Sequence, residues 1–252
     1  MDNLIVKQLT KAPSFKKIKK ALFIQPHPDD NQIGAGGLMA LLVDQGAKVY
    51  ELTVTDDRHI GEQTEPTIRQ RETLDCQAFL GLENAGFLGF RDKTQESVES
   101  LSLAILEVIR KVKPDAVFTV DPNLASECHS DHIKVGNAVK FAVMDAPFDF
   151  FPYKQKDDAT KNESWTVPIL AFYYTDQPNK KVDISKYIDK KMESIKCHKS
   201  QVDSKLLYFI KELAKITAKG TKYKYAESFR ALSQLHMHCF TLPIEKDFKD
   251  LE

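Results

Sequence analysis

The chain has 252 residues, of which 42% are apolar and 29% charged, and its 36 basic and 36 acidic side chains leave a formal net charge of zero. That length and composition suit one sizeable α/β domain of an ordinary globular protein. The charge balance argues against the basic footprint of a nucleic-acid binder, and no apolar run approaches the roughly 18 residues that cross a bilayer.

In chain order, residues 1–19 read as a polar N-terminal extension ahead of a single domain, closing in the basic run "FKKIKK". No apolar signal segment follows, so the run is expected to be a solvated arm. Cys76, Cys128, Cys197 and Cys239 are widely spaced and form no CxxC pair, which fits free thiols in a reducing compartment and a cytoplasmic protein. "ALFIQ" (21–25) reads as a buried strand, and "GAGGLMALLVDQG" (34–46) as a helix with Leu38, Leu41 and Leu42 on one face and a stop at Gly46. "VYELTVT" (49–55) is a second strand, residues 65–80 a helix ending at Gly81, and "AGFLG" a short third strand. Residues 97–113 set Leu101, Ile105, Val108, Ile109 and Val112 at helical spacing before Pro114, and "DAVFTV" (115–120) is a fourth strand. This alternation predicts βαβ units and a Rossmann-like, mostly parallel sheet with helices on both faces. Beyond a polar excursion near residue 150, "PILAFYYT" (168–175) is a further strand and residues 184–235 are read as largely helical.

Two motifs fall where strands end. His27-Pro28-Asp29-Asp30 follows the first strand, and His129-Ser130-Asp131-His132 forms a short loop beyond the fourth. In open α/β sheets, ligands bind at the carboxyl ends of the strands, so neighbouring strands would bring both motifs to one rim. Two adjacent aspartates after a buried strand repel each other and resist desolvation unless positive charge sits beside them. A cation held by His27, Asp30 and one histidine of the second motif would have three protein ligands and an open position, the pattern of a catalytic zinc site. Asp29 would then stay free to take a proton from the attacking water. The remaining motifs point elsewhere. "GAGG" (34–37) does not complete GxGxxG and suits close helix–sheet packing, no GxSxG elbow or P-loop is present, and Cys128 beside His129 is poorly placed for a Cys/His pair.

"HPDDNQIGAGGLMALLVDQGAKV" resembles the signature of the PIG-L/LmbE-like deacetylases, and "HSDH" resembles their second motif. "RQRETLDCQAFLGLENAGFLGFRD", "VDISKYIDKKMESIKCHKSQ" and "YAESFRAL" agree in order and spacing, so the resemblance covers roughly residues 20–235. It implies a Rossmann-like fold and one zinc ion used to hydrolyse the N-acetyl group of a small N-acetylglucosamine conjugate, whether the aglycone is malate, inositol, another sugar or a larger group. By motif, it implies His27, Asp30 and His132 as ligands, Asp29 as general base, His129 as the protonated group that stabilises the tetrahedral intermediate, and Asp131 as the carboxylate orienting a histidine. A carboxylate beside His129 would raise its pKa. Arg69 matches an arginine that lies near the substrate in relatives acting on small glycosides, and a guanidinium there suits a grip on an anionic group. Asn31 departs from a frequent glutamate, while Glu127 and Cys128 stand where some relatives carry a tyrosine or arginine. Three rivals stand beside this reading. A metallo-β-lactamase-like hydrolase is disfavoured by Glu127 at the first position of its motif. A non-haem iron oxygenase shares the two-histidine-one-carboxylate triad but sits on all-β scaffolds. A non-catalytic sugar-binding or regulatory protein would have little use for the base. No stable membrane association is expected, and a homo-oligomer stays open.

Overall fold

In the computed structural model, residues 10–56, 65–152, 163–238 and 244 are described. The first nine residues, residues 57–64 and 153–162, and Cys239 lie outside them. Seven strands form one sheet in the order β3-β2-β1-β4-β5-β7-β6. The strands are β1 (Lys20–Gln25), β2 (Lys48–Asp56), β3 (Glu83–Arg91), β4 (Ala116–Val120), β5 (Ile169–Tyr173), β6 (Lys180–Asp183) and β7 (Ala226–Ser233). β1 through β5 run parallel, while β7 is antiparallel to both β5 and β6. The helices are α1 (Asp30–Asp44), α2 (Ile68–Leu80), α3 (Val98–Val112), α4 (Ser130–Asp145), α5 (Ile188–Lys196) and α6 (Ser204–Ala218). Among the described residues, no helix is long and apolar enough to cross a membrane.

The central strands β1 and β4 are buried on both faces, successive side chains alternating between two cores. On β1, Phe23 joins Leu38, Leu42, Phe118 and Phe229 in one core, while Leu22 and Ile24 join Leu52, Leu101, Ile105 and Val139 in the other. Local chemistry sets the helix ends. Thr67 and Gln70 form a reciprocal capping box at the start of α2, and Gly81 closes it at φ 79°. α3 starts on the Ser97 hydroxyl, which accepts from the Ser100 N–H at 3.1 Å.

The structure differs from the sequence expectation in three places. The basic run is not a solvated arm: Phe15 is fully buried, with ring centroids 5.3 Å from Phe118 and 5.7 Å from Phe229, and Ile18 joins the same core. Its lysines turn outward while the two apolar positions turn in. The stretch at 184–235 contains α5 and α6 but closes in strand β7, and β6 precedes it. The second motif is not a loop but the N-terminus of α4.

The chain runs β1, β2, β3 outward in one direction and returns across β1 to β4, so the order reverses between β1 and β4. Ligand crevices form at such a switch point. β1 and β4 pair directly, with Ala21 opposite Ala116 and Phe23 opposite Phe118. The turns after both strands therefore meet.

Candidate metal and catalytic site

The turn after β1 is pinned from the next strand. The Thr55 hydroxyl and N–H both donate to the Pro26 carbonyl, at 2.7 and 2.9 Å, and Gln25 bridges the Thr53 hydroxyl and the Asn31 N–H. Asp29 then adopts φ 113°, ψ −25°, a left-handed conformation that L side chains rarely take. This reversal sends Asp29 and Asp30 to different partners.

Asp30 faces the histidines. Its Oδ2 accepts from the His27 N–H at 3.0 Å and lies 3.3 Å from His27 Nδ1 and 3.4 Å from His132 Nε2. Each imidazole is held from behind by a carboxylate. Asp131 Oδ2 lies 3.2 Å from His27 Nε2, and Glu127 Oε2 lies 2.7 Å from His132 Nδ1. Those acceptors take the protons on His27 Nε2 and His132 Nδ1 and turn His27 Nδ1 and His132 Nε2 toward Asp30, an orientation also found where a carboxylate backs a metal-ligating histidine. Asp131 is itself fixed, fully buried and accepting from the N–H groups of Lys93 (2.7 Å) and Thr94 (3.0 Å).

The electrostatics follow this wiring. Burial pushes the His27 imidazole down, but Asp131 and Asp30 outweigh it and hold the pKa up to about 10. Burial likewise opposes a charge on His132, yet Asp30 and Glu127 raise its pKa. Asp30 stays well below the usual carboxylate range: burial works against its charge, and the paired His132 and His27 overcome it. The cluster therefore favours positive charge between these groups. Two ligands each about 2.0–2.1 Å from a zinc ion stand about 3.3 Å apart on a tetrahedral edge, close to the two separations measured from Asp30. Nitrogen and carboxylate donors suit that ion, and among the described residues His27, His129 and His132 bring ring nitrogens within 4.8 Å of one another, with Asp30 beside His27 and His132.

Asp29 lies apart. Its Oδ2 is 3.3 Å from Arg69 Nη2, which also donates to the Pro28 carbonyl. Burial, then the charge of Asp30, raises its pKa to about 7 against the opposing pull of Arg69. Arg69 itself is buried. In this structure the guanidinium expected near the substrate bonds to Pro28 and Asp29 and secures the turn that carries Asp29.

His129 caps α4, its Nδ1 accepting from the Asp131 N–H at 3.3 Å, and its ring lies 4.4 Å from His27 and 5.0 Å from His132. Its expected pKa elevation is also corrected. Burial and the charges of His27 and His132 lower it, because the Asp131 carboxylate points to His27. Of the departures from the motif, Asn31 faces inward, donating to Glu51 at 3.0 Å and accepting from the Tyr173 hydroxyl at 2.8 Å. Cys128 is exposed.

Sequence reasoning missed several neighbours. Asp92, just after β3, puts Oδ1 3.3 Å from His27 Nε2; its one signal was its place at a strand's carboxyl end. Glu127 stood out only as a departure, not as a histidine partner. His198 is fully buried, with neither ring nitrogen hydrogen-bonded, and burial, then Arg69, lowers its pKa to about 3. Beside Asp30 and His132 opens a cleft of about 540 Å³, bordered by Tyr174 and α6.

The sequence profile of the PIG-L family, described as GlcNAc-PI de-N-acetylase, matches residues 22–143. A diacetylchitobiose deacetylase of Thermococcus kodakarensis is 29% identical, the alignment covering 89% of this chain and 87% of that protein. A probable N-acetyl-α-D-glucosaminyl L-malate deacetylase 2 of Bacillus cereus is 31% identical, over 75% of this chain and 86% of that protein. The solved N,N′-diacetylchitobiose deacetylase of Pyrococcus horikoshii, in complex with its inhibitor MPG, superposes with a TM-score of 0.79 at 29% identity, covering 90% of this chain and 89% of that one. With both motifs inside the matched stretch and most of its length aligned to named deacetylases, this chain belongs to the PIG-L family.

Proposed function

We propose that the protein removes the N-acetyl group from a small N-acetylglucosamine conjugate, releasing acetate and a free amine, with one zinc ion held by His27, Asp30 and His132. The observation that carries this reading is the convergence of two carboxylate-backed imidazoles on Asp30 Oδ2, at 3.3 and 3.4 Å. Bound there, the ion supplies a Lewis acid for the amide carbonyl and for the attacking water.

The chain's own groups divide the proton work. Asp29, whose carboxylate is turned from Asp30 toward Arg69, is the base. It takes a proton as water adds to the acetyl carbon and returns it to the amine nitrogen as the C–N bond breaks. Arg69 keeps that carboxylate turned away from Asp30. With Nδ1 occupied by the Asp131 N–H, His129 carries its proton on Nε2. It acts as a neutral donor to the developing oxyanion, a role worth roughly a hundredfold or more in rate.

Acetate release from N-acetylglucosamine conjugates by the zinc-loaded protein tests the proposal. Asp29→Asn should keep its zinc while losing about two to four orders of magnitude in turnover. Conjugate binding without acetate release would instead favour a sugar-binding protein.

A further inference from the structure

If the deacetylase reading holds, the cleft that starts at Asp30 and His132 is the space beside the proposed ligands into which a group joined to the amino sugar would extend. At about 540 Å³ it falls within the roughly 300–1,000 Å³ of small-molecule sites. One wall is apolar: Ile33 and Leu124 from the catalytic side, and Ile210, Leu213 and Ala214 from α6.

The charged lining is lopsided. Besides Asp30, it presents Glu127, Asp176 and Glu227, against the ammonium of Lys191 and the imidazole of His132, which is committed between Asp30 and Glu127. That ammonium is already engaged, donating to Glu227 Oε1 at 2.5 Å and to the Ile33 carbonyl at 2.7 Å. Glu227 is equally committed, accepting from the N–H groups of Gly37 and Leu38 at 2.8 Å each. Glu127 serves His132. Asp176 differs: it is exposed at the cleft, with no hydrogen bond or ion pair among the described residues. Arg69, the cation that would greet an anion, is buried behind Asp29 and does not line the cleft.

An anionic aglycone entering here would meet carboxylate without a cation released to compensate it, losing hydration for repulsion. A neutral ring with hydroxyls has complementary chemistry, donating to Asp176 while laying its C–H face on Leu213 and Ile33. We infer that the cleft is an aglycone subsite selecting a neutral sugar over an anionic group, with Asp176 as its specificity-determining residue.

The experiment compares kcat/KM of the zinc-loaded full chain on N,N′-diacetylchitobiose and on N-acetylglucosaminyl L-malate, for the wild type, Asp176→Asn and Asp176→Lys. The neutral disaccharide should be favoured at least tenfold by the wild type. The malate-to-disaccharide ratio should rise in Asp176→Asn and rise further, by roughly tenfold or more, in Asp176→Lys, the scale of one unit charge acting across a cleft. Circular dichroism shows that the exposed-site variants keep their fold. Equal or better turnover of the malate conjugate by the wild type, or an unmoved ratio in both variants, overturns the inference and leaves the deacetylase reading intact. No acetate from either conjugate overturns the deacetylase reading and the inference with it.

Discussion

Asp131 offers the sharpest test of how the site is wired, because its three contacts make conflicting demands on any substitute. Oδ2 serves both the Lys93 N–H at 2.7 Å and His27 Nε2 at 3.2 Å, while Oδ1 accepts from the Thr94 N–H at 3.0 Å. An asparagine there has one acceptor end and one donor end. With its oxygen in the Oδ2 position, Lys93 and His27 keep a partner and the amide NH₂ opposes the Thr94 N–H; the flipped amide opposes two donors. At best, then, one buried N–H goes unsatisfied, costing about 1–3 kcal/mol. The surviving bonds also lose the strength that ionisation gave them. Together this predicts a loss of about 2–4 kcal/mol, or roughly 5–15 °C in Tm for a chain of this size.

The second consequence concerns His27 as the proposed zinc ligand. Without a carboxylate behind its Nε2, the His27 ring loses the group that fixes its tautomer and orientation, and zinc affinity should fall roughly tenfold to a hundredfold. Metal-free Asp131→Asn is measured twice, by thermal unfolding followed by circular dichroism and by competition with a chromophoric zinc chelator. A lowered Tm with wild-type zinc affinity would show that Asp131 merely clips the 93–94 backbone to α4. That result would refute the claim that it orients His27.

Two further outcomes follow from the same geometry. His198 has a pKa of about 3 in the folded chain against an ordinary 6.5 or so unfolded; the unfolded state binds the extra proton, so stability is lost as pH falls below about 6.5 and is unaffected above it. His198→Leu should flatten that acid limb by about 2 kcal/mol between pH 6.5 and 5, and denaturant titrations at the two pH values giving the wild-type slope would contradict the assignment. At Asp29, φ 113° penalises any Cβ, so Asp29→Gly should be more stable than Asp29→Ala by about 1–2 kcal/mol. Thermal unfolding with alanine ahead would remove the argument for local strain.

Much of the parallel sheet was legible because its strands are short apolar runs separated by helical spacing and by glycine or proline stops. β7 was not. "AESFRALS" offers Ala, Glu, Arg and Leu, all good helix formers, and only the alternate burial of Glu227, Phe229 and Ala231 reveals a strand. α4 was missed because its cap is a histidine, outside the usual Ser, Thr, Asp or Asn signal. Within the site, the motifs gave which residues gather but not which way they point. Arg69 was placed at the correct rim, yet its direction depends on how closely α2 packs against the β1 turn. Asp92 and Glu127 became visible only when loops distant in sequence closed on His27 and His132.

The adjacent aspartates illustrate why direction matters more than membership. Their side chains are chemically identical and one bond sequence apart, yet the positive φ at Asp29 puts them in opposite environments. Asp30 receives two imidazoles and is held ionised; Asp29 receives burial and the field of that same ionised neighbour, and its pKa rises to about 7. The second shift depends in part on the first. The ionised Asp30 thus helps raise the pKa of Asp29, and neighbouring carboxylates whose environments push their pKa values apart are able to take separate roles. Glycine would relax the turn but remove the carboxylate at 29. The strained turn thus separates the two carboxylates, and Arg69, by bonding to both Pro28 and Asp29, keeps them apart.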